Sequence, residues 1–270
     1  MNELKKNFEE LKDSSMKWEK YFSVYEKVLN KYKDKKITFV EIGILNGGSL
    51  NLWKNYFGKN SKIIGIDINP ECKKFENINE NIHVHIGNQS DVNFWRSFFE
   101  IQGNIDVLLD DGGHTNLDQI ITITETVKNI NNGGLIVVED THTSYIDAYN
   151  SSSKFSFINF TKKIIDNINS NINLDLGLEF KYDLKNYIYS IEFFESVVCF
   201  NIDKSKTYKN NIVTNKGVDH KIENLTWKGN EIFIKKIKIL LEKIPFLRFN
   251  KLIRRIKNRT NNNYIKDFFK

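Results

Sequence analysis

The sequence is poor in cysteine and proline, and it has no long apolar run. Its 270 residues include only two cysteines and two prolines. Two cysteines are too few for a disulfide scaffold or a thiolate zinc site, which indicates a reducing compartment. No run approaches the roughly 20 apolar residues that cross a bilayer, and residues 1–15 lack the apolar stretch of a signal peptide. We therefore expect a cytoplasmic protein.

The charge is unevenly distributed, although 13% aromatic and 40% hydrophobic residues exclude disorder as the main state. Residues 204–270 carry 18 Lys and Arg against 5 Asp and Glu, whereas residues 1–203 carry 22 against 29. The acidic body argues against nucleic acid as a partner, because it would repel phosphates. Residues 235–259 alternate apolar clusters with Lys and Arg, which is typical of contact with the inner face of an anionic membrane. The alternative is an extension that packs on the domain or on a second subunit of a homo-oligomer.

Apolar segments alternate with helical patterns in the middle of the chain. Five segments read as strands covered on both faces: 37–42, 62–67, 82–86, 105–110 and 135–140. The helical stretches that follow the first four are placed near 49–57, at Pro70, near 91–100 and near 116–130, and a further helix is expected at 155–169. This alternation predicts a doubly wound parallel sheet. Two β-rich runs, 187–194 and 196–202, predict a closing antiparallel hairpin.

Three segments are predicted along the chain. Residues 37–203 form the catalytic domain, and residues 204–270 form a basic extension. Residues 1–36 form a helical segment and candidate lid, because aromatic and aliphatic residues such as Trp18 and Tyr21 recur at three- and four-residue spacing up to residue 32.

Acidic or polar residues stand at the carboxyl ends of all five predicted parallel strands. These are Glu41, Asp67, Asn88, Asp110 with Asp111, and Glu139 with Asp140. Ligands of open α/β sheets bind at this edge. One acid alone is equally well explained as a helix cap, but the full series indicates a ligand site.

The turn after the first strand is rich in glycine. Gly43 permits a tight turn, and Gly47 lets a ligand approach the backbone where a helix starts. Leu45 stands where a nicotinamide-binding fingerprint has its middle glycine. The spacing E-x-G-x-x-x-G from Glu41 instead resembles motif I of S-adenosylmethionine (SAM) methyltransferases.

Two further turns complete the predicted cofactor site. Asp67 is placed to accept hydrogen bonds from ribose hydroxyls, and residues 87–91 (GNQSD) would border an adenine. Ser90 and Asp91 also suit the N-cap of the next helix, which is compatible with that role.

Asp111, Glu139 and Asp140 follow strands that should be neighbours, about 5 Å apart. Three carboxylates this close repel one another unless they are protonated or neutralised by a cation. Oxygen ligands favour a hard ion, Mg²⁺ or alternatively Mn²⁺ or Ca²⁺, over zinc. His114, three residues after Asp111, is within reach of a metal-bound substrate and is a candidate catalytic residue; the alternative is a surface histidine or helix cap.

Taken together, the motifs EIGxxxGGS, GIDINP, GxQSD, DDGxH and VVEDTHTSY resemble the metal-dependent sugar O-methyltransferases of the mycinamicin and macrocin type over residues 18–202. The resemblance implies a class I methyltransferase fold, Rossmann-like, with seven strands. It also implies that Asp111, Glu139 and Asp140 hold Mg²⁺ and that His114 is the general base. The residues implied around SAM are Glu41, Gly43, Ser49, Asp67, Gln89, Ser90 and Asp110. Asn88 departs from the carboxylate that is usual at its position.

The predicted function is methyl transfer from SAM to a sugar hydroxyl, with a nucleotide-activated capsular sugar such as a heptose as the acceptor. His142, Tyr145 and Tyr21 are candidate acceptor contacts, although packing within the loop or helix explains them equally well. One alternative is methyl transfer to a catechol-like or phosphorylated metabolite. Another is a non-catalytic subunit of a polysaccharide-synthesis complex.

Overall fold

The computed structural model describes residues 3–149, 154–172, 180–211 and 213–215. Residues 1–173 and 179–210 form one compact unit, which contains every helix and strand described below. A second unit comprises residues 174–178 and 211–270, of which only 211 and 213–215 are described. The segment 235–259 and its predicted membrane contact therefore lie outside the described residues.

Seven strands form a single mixed sheet in the order β3-β2-β1-β4-β5-β7-β6. Their bounds are β1 Thr38–Ile42, β2 Lys62–Asp67, β3 Ile82–Ile86, β4 Ile105–Asp110, β5 Ile130–Val138, β6 Ile188–Phe194 and β7 Val197–Ile202. β1 to β5 are parallel, and β7 is antiparallel to both β5 and β6. This confirms the predicted doubly wound sheet with its closing antiparallel hairpin.

Six α-helices accompany the sheet in the described residues: α1 Glu3–Glu9, α2 Tyr21–Leu29, α3 Gly48–Phe57, α4 Val92–Gln102, α5 Asn116–Thr126 and α6 Phe157–Asn169. Side-chain caps fix where several of them start. Asp91 accepts from the backbone of Asn93 at the start of α4, and Thr115 forms a capping box with Asp118 at α5. These caps place the turns that precede α4 and α5 at the sheet edge where the candidate site lies.

The strands are buried on both faces, which explains their nearly continuous apolar sequences. Successive side chains of a strand point to opposite faces, so Phe39 and Val107 enter the core under α1 to α3, while Val40 and Leu108 enter the core on the other face. Within the described residues, no helix is both long and apolar enough to span a membrane.

The predicted N-terminal helical segment is wrong for residues 10–20, which lie outside helices between α1 and α2. Contacts with α3 override the local periodicity there. The Asn51 amide donates to Asp13 at 3.0 Å, and the carbonyl of Ser14 lies so close to Gly48 that a Cβ there would collide with it. α2 itself fits the prediction, since Tyr21 and its apolar neighbours are buried.

Two boundaries also differ from the predicted ones. α5 ends at Thr126 and passes into a 3-10 turn, and β5 begins at Ile130, five residues earlier than predicted. The early part of β5 contains Gly133 with φ +80°, and the β4–β5 register shifts between Ile105 and Val107. The apolar run predicted as a strand from residue 135 therefore covers only the later part of β5, where its pairing with β4 is regular.

Candidate active site

One cavity of about 1080 Å³ lies at the carboxyl ends of the parallel strands. Its lining includes three groups of residues: Gly43, Leu45, Asp67, Asn88 and Gln89 from the β1 to β3 turns; Asp111, His114, Glu139 and Asp140 from the β4 and β5 turns; and Ser14, Met16, Lys17 and Trp18 from the N-terminal segment. The three predicted metal residues thus line the same cavity as five of the nine predicted cofactor residues; Ser49 is the fifth, and Glu41, Gly47, Ser90 and Asp110 are not in the lining.

Gly43 allows the β1 turn to approach the β4 turn. Its φ is +83°, a region that favours glycine, and a Cβ there would collide with the carbonyl of Asp111. Asp67 secures the same turn, because its Oδ2 accepts from the backbone of Ile44 at 3.0 Å and of Leu45 at 3.1 Å. Asp67 therefore lies where the sequence places it, and its contact with a ribose stays a prediction.

The β3 turn is tied to the β4 turn by Gln89. Its amide nitrogen donates to Asp110 at 3.0 Å, and its amide oxygen accepts from the backbone of Gly113 at 2.8 Å. Asp110 is buried, and burial raises its pKa to about 6 although the hydrogen bond from Gln89 opposes the rise. Ser90 donates to Asp118. Asp110 and Ser90 lie outside the cavity lining and brace the turns through these hydrogen bonds. Their contact with SAM stays a prediction.

Lys17 is a site residue that the sequence analysis did not identify. Its side chain is 2% exposed, and its Nζ lies 2.5 Å from Asp111 Oδ2, 3.3 Å from Glu41 Oε1 and 3.6 Å from Glu139 Oε2. Burial opposes its charge, but the carboxylates, Asp111 foremost, outweigh burial and hold the pKa of Lys17 well above its usual value. The cation that the sequence analysis required for these acids is therefore supplied, in part, by the protein itself.

Glu41 and Glu139 are both buried, at the ends of β1 and β5, and of the two only Glu139 is part of the cavity lining. Ser49 donates to Glu41 Oε2 at 2.6 Å, and the Tyr25 hydroxyl donates to Glu139 Oε1. Burial, together with the charge of Asp111, raises the pKa of Glu139 well above its usual value. Glu139 therefore faces Tyr25 and Lys17, and its service as a metal ligand stays a prediction.

Asp111, His114 and Asp140 form the group whose geometry suits a metal ion. One ligand atom from each lies within 4.8 Å of the other two. His114 Nε2 is 3.7 Å from Asp111 Oδ1 and 3.5 Å from Asp140 Oδ2. His114 and Asp140 have φ of +56° and +52°, uncommon values for residues other than glycine, which cluster at functional sites.

Neighbouring hydroxyls fix this group. The Tyr21 hydroxyl donates to Asp140 Oδ1 at 2.5 Å, and the Thr143 hydroxyl donates to the carbonyl of His114 at 2.8 Å. Tyr21 holds this carboxylate and is not part of the cavity lining, and its contact with an acceptor stays a prediction.

The other two candidate acceptor residues, His142 and Tyr145, are not part of the cavity lining. His142 packs edge-on against Trp18, with ring centroids 6.1 Å apart, and Trp18 lines the cavity although it is 61% exposed. Tyr145 is exposed and is not part of the lining, whereas Tyr149, which the sequence analysis did not single out, is. Contact of His142 or Tyr145 with an acceptor stays a prediction.

The sequence and the fold were compared with those of known proteins. No family model matches the sequence. Over 171 residues it is 32% identical to the 8-demethyl-8-alpha-L-rhamnosyl tetracenomycin-C 2'-O-methyltransferase of Streptomyces olivaceus, covering 58% of this chain. Over 180 residues it is 26% identical to the demethylmacrocin O-methyltransferase of Streptomyces fradiae, covering 62% of this chain. The match spans 44% of the length of each of these two relatives.

The structure of MycE methyltransferase from the mycinamycin biosynthetic pathway, in complex with Mg and SAH, superposes with a TM-score of 0.67 at 21% identity. The superposition covers 81% of this chain and 58% of MycE. The chain has the class I methyltransferase fold. Its sequence resembles those of sugar O-methyltransferases, as the motifs predicted.

Proposed function

We propose that this chain transfers a methyl group from SAM to a hydroxyl of a sugar, with a divalent metal ion at Asp111 and Asp140. The observation that carries the proposal is the single cavity that joins the glycine-rich β1 turn to the Asp111–His114–Asp140 group. Methyl transfer requires a cofactor side and an acceptor side within one enclosed space, because the hydroxyl, the methyl carbon and the sulfur must align.

The cofactor side fits SAM by its chemistry. Asp67 and Asn88 line it with acceptors for ribose and base hydrogen bonds, and Leu45 and Ile68 add exposed apolar surface suited to the face of a planar base. The cavity of about 1080 Å³ reaches the upper end of the usual range for ligand pockets, about 300–1000 Å³. It therefore has room for a cofactor and an acceptor together.

The metal side fits Mg²⁺ or Mn²⁺. Asp111 and Asp140 supply carboxylate oxygens, the preferred ligands of hard divalent ions, and Glu139 is the proposed third acid. The ammonium of Lys17 lies 2.5 Å from Oδ2 of Asp111, so one oxygen of this carboxylate already has a positively charged partner.

When bound, SAM supplies an electrophilic methyl group, and the metal ion lowers the pKa of an acceptor hydroxyl. The chain's own residues provide orientation and proton transfer. His114 Nε2 takes the hydroxyl proton as general base, a contribution of roughly 10²–10⁴ in rate. The Thr143 hydroxyl holds the backbone of His114, and Tyr21 holds Asp140, so the base and the acid keep their relative positions.

The acceptor class is proposed from the similarity to relatives named for methylation of rhamnosyl tetracenomycin and demethylmacrocin. A narrower proposal is a nucleotide-activated capsular sugar such as a heptose. The cytoplasm is the proposed location. Contact of residues 204–270 with the inner membrane face, or with a second subunit, is also a proposal.

Calorimetric binding of SAM, followed by methyl transfer to a panel of sugars, glycosides and nucleotide sugars with Mg²⁺ or with EDTA, tests the function. We expect SAM binding, and turnover on a sugar that EDTA abolishes. SAM binding with turnover only on catechols or phosphorylated metabolites would reassign the acceptor. If SAM does not bind, the proposal is wrong.

A further inference from the structure

The buried ammonium of Lys17 contacts carboxylates from the ends of three adjacent strands. Glu41 lies within β1 near its carboxyl end, Asp111 is in the turn after β4, and Glu139 is in the turn after β5. Among the described residues, Lys17 is the lysine or arginine that forms ion pairs with these acids. A buried charge persists only when it is paired, so Lys17 and the three acids depend on one another.

The segment that carries Lys17 is fixed on both sides of it. Asp13 accepts from the amide of Asn51 on α3, and Trp18 packs against His142 in the loop after β5. These two contacts hold residues 10–20, which are not helical, so that the side chain of Lys17 points toward the carboxyl ends of the strands.

We propose that Lys17 is a built-in counter-cation that occupies one side of the metal site and limits the affinity for the divalent ion. The Nζ of Lys17 forms an ion pair with Oδ2 of Asp111 and lies near the carboxylate of Glu139. The other oxygen of Asp111, Oδ1, and the carboxylate of Asp140 lie near His114 instead. The ammonium and a divalent ion therefore share Asp111, and the two positive charges repel each other. In the absence of the ion, Lys17 holds the acids in place as a positioning residue.

This inference rests on the metal site of the proposed function but not on methyl transfer. Its test therefore uses Mn²⁺ alone, without SAM or an acceptor, and counts free Mn²⁺ by electron paramagnetic resonance. Lys17→Met frees the second oxygen of Asp111 and the carboxylate of Glu139 and removes a like charge. We expect Mn²⁺ to bind at least about tenfold more tightly. Repulsion between two unit charges about 4 Å apart at an effective dielectric constant near 20 corresponds to roughly a thousandfold in affinity, and rearrangement of the freed carboxylates offsets part of that gain.

Lys20→Met is the matched control, because Lys20 lies in the same stretch and pairs with Glu195 at the surface. It should leave Mn²⁺ affinity at the value of the unchanged protein. Equal affinity in Lys17→Met and Lys20→Met would overturn the inference while leaving the proposed function standing. Weaker binding in Lys17→Met would also overturn it, since Lys17 would then support the metal ligands rather than compete with the ion.

Thermal unfolding without metal gives a second, independent measurement. Lys17→Met leaves the buried Glu41 and Glu139 and the half-buried Asp111 without their cation, and we expect its Tm to fall by about 10 °C. The double variant Lys17→Met with Glu139→Gln removes one of those charges and should recover part of the loss. If the single variant does not fold, recovery in the double variant still supports the inference. A Tm for Lys17→Met equal to that of Lys20→Met would contradict it.

Discussion

The hydroxyl of Tyr21 donates a hydrogen bond to Asp140 at 2.5 Å, which joins the first turn of α2 to a proposed metal ligand at the end of β5. Tyr21 is buried among the core residues of its face of the sheet. The orientation of Asp140 therefore depends on how the N-terminal helix packs. Residues 21–29 therefore help to hold the proposed metal ligand in position. This does not depend on whether the exposed Trp18 forms part of a lid.

Tyr21→Phe should weaken Mn²⁺ binding by about tenfold, because hydrogen-bond partners of metal ligands typically contribute 10–100-fold to affinity. The ring remains, so packing should persist. Tyr32→Phe is the matched control: its hydroxyl donates to the carbonyl of Gly133, toward the opposite end of β5. Titration of both variants with Mn²⁺ checks this. Equal affinities would show that Asp140 does not need Tyr21.

Asp111→Asn should abolish both Mn²⁺ binding and the metal dependence of turnover. Asp111 is shared between Lys17 and the group with His114 and Asp140, and an amide is a much poorer ligand for a hard cation than a carboxylate. SAM binding, measured by calorimetry, should remain. Substantial Mg²⁺-dependent turnover in this variant would exclude Asp111 as a metal ligand.

His114→Gln should reduce kcat by roughly 10²–10⁴ while SAM and Mn²⁺ affinities change little, since the loss falls on proton transfer. His83→Gln serves as the control, because His83 lies on β3 and its ring contacts Asn81. The comparison is made under saturating SAM and acceptor. A reduction in Mn²⁺ affinity as large as the loss of kcat would make His114 a metal ligand instead of a base.

Much of this arrangement follows from the sequence. β2, β3 and β4 have the predicted bounds, because strands buried on both faces must be apolar throughout. Asp111 and Glu139 lie close together because each follows a residue of a matched pair: β4 and β5 are parallel, and Asp110 pairs with Val138. The alternation of strands and helices therefore predicted which edge of the sheet holds the site.

Lys17 could not be predicted in the same way. It lies in a stretch that also contains Lys12 and Lys20, and nothing in residue type or spacing distinguishes the three. Only the packing of residues 10–20 on α3 turns Lys17 inward, while Lys20 pairs with Glu195 in solvent. A buried lysine was nevertheless one solution to the repulsion among neighbouring carboxylates that the sequence analysis identified.

Cys72 and Cys199 should react slowly with a thiol reagent at pH 8. Burial raises the pKa of both thiols above the usual value, so the reactive thiolate is scarce in the folded state and becomes abundant only at higher pH. We expect little labelling of the native protein and two equivalents after denaturation, followed by absorbance. Rapid native labelling of either residue would contradict the packing described for it.

Gly43→Ala should destabilise the protein and impair SAM binding together. Two effects combine at this position: φ is +83°, and the added Cβ would meet the carbonyl of Asp111. Gly103→Ala separates them, because Gly103 has φ +67° with nothing within 4 Å of an added Cβ. It should lose only the backbone cost, about 1–3 kcal/mol in the free energy of unfolding, whereas Gly43→Ala should lose clearly more because the collision adds to its backbone cost. Denaturant unfolding and SAM calorimetry on both variants test this. Similar losses in both variants would mean that the β1 turn does not require the close approach to Asp111 on which the shape of the cavity depends.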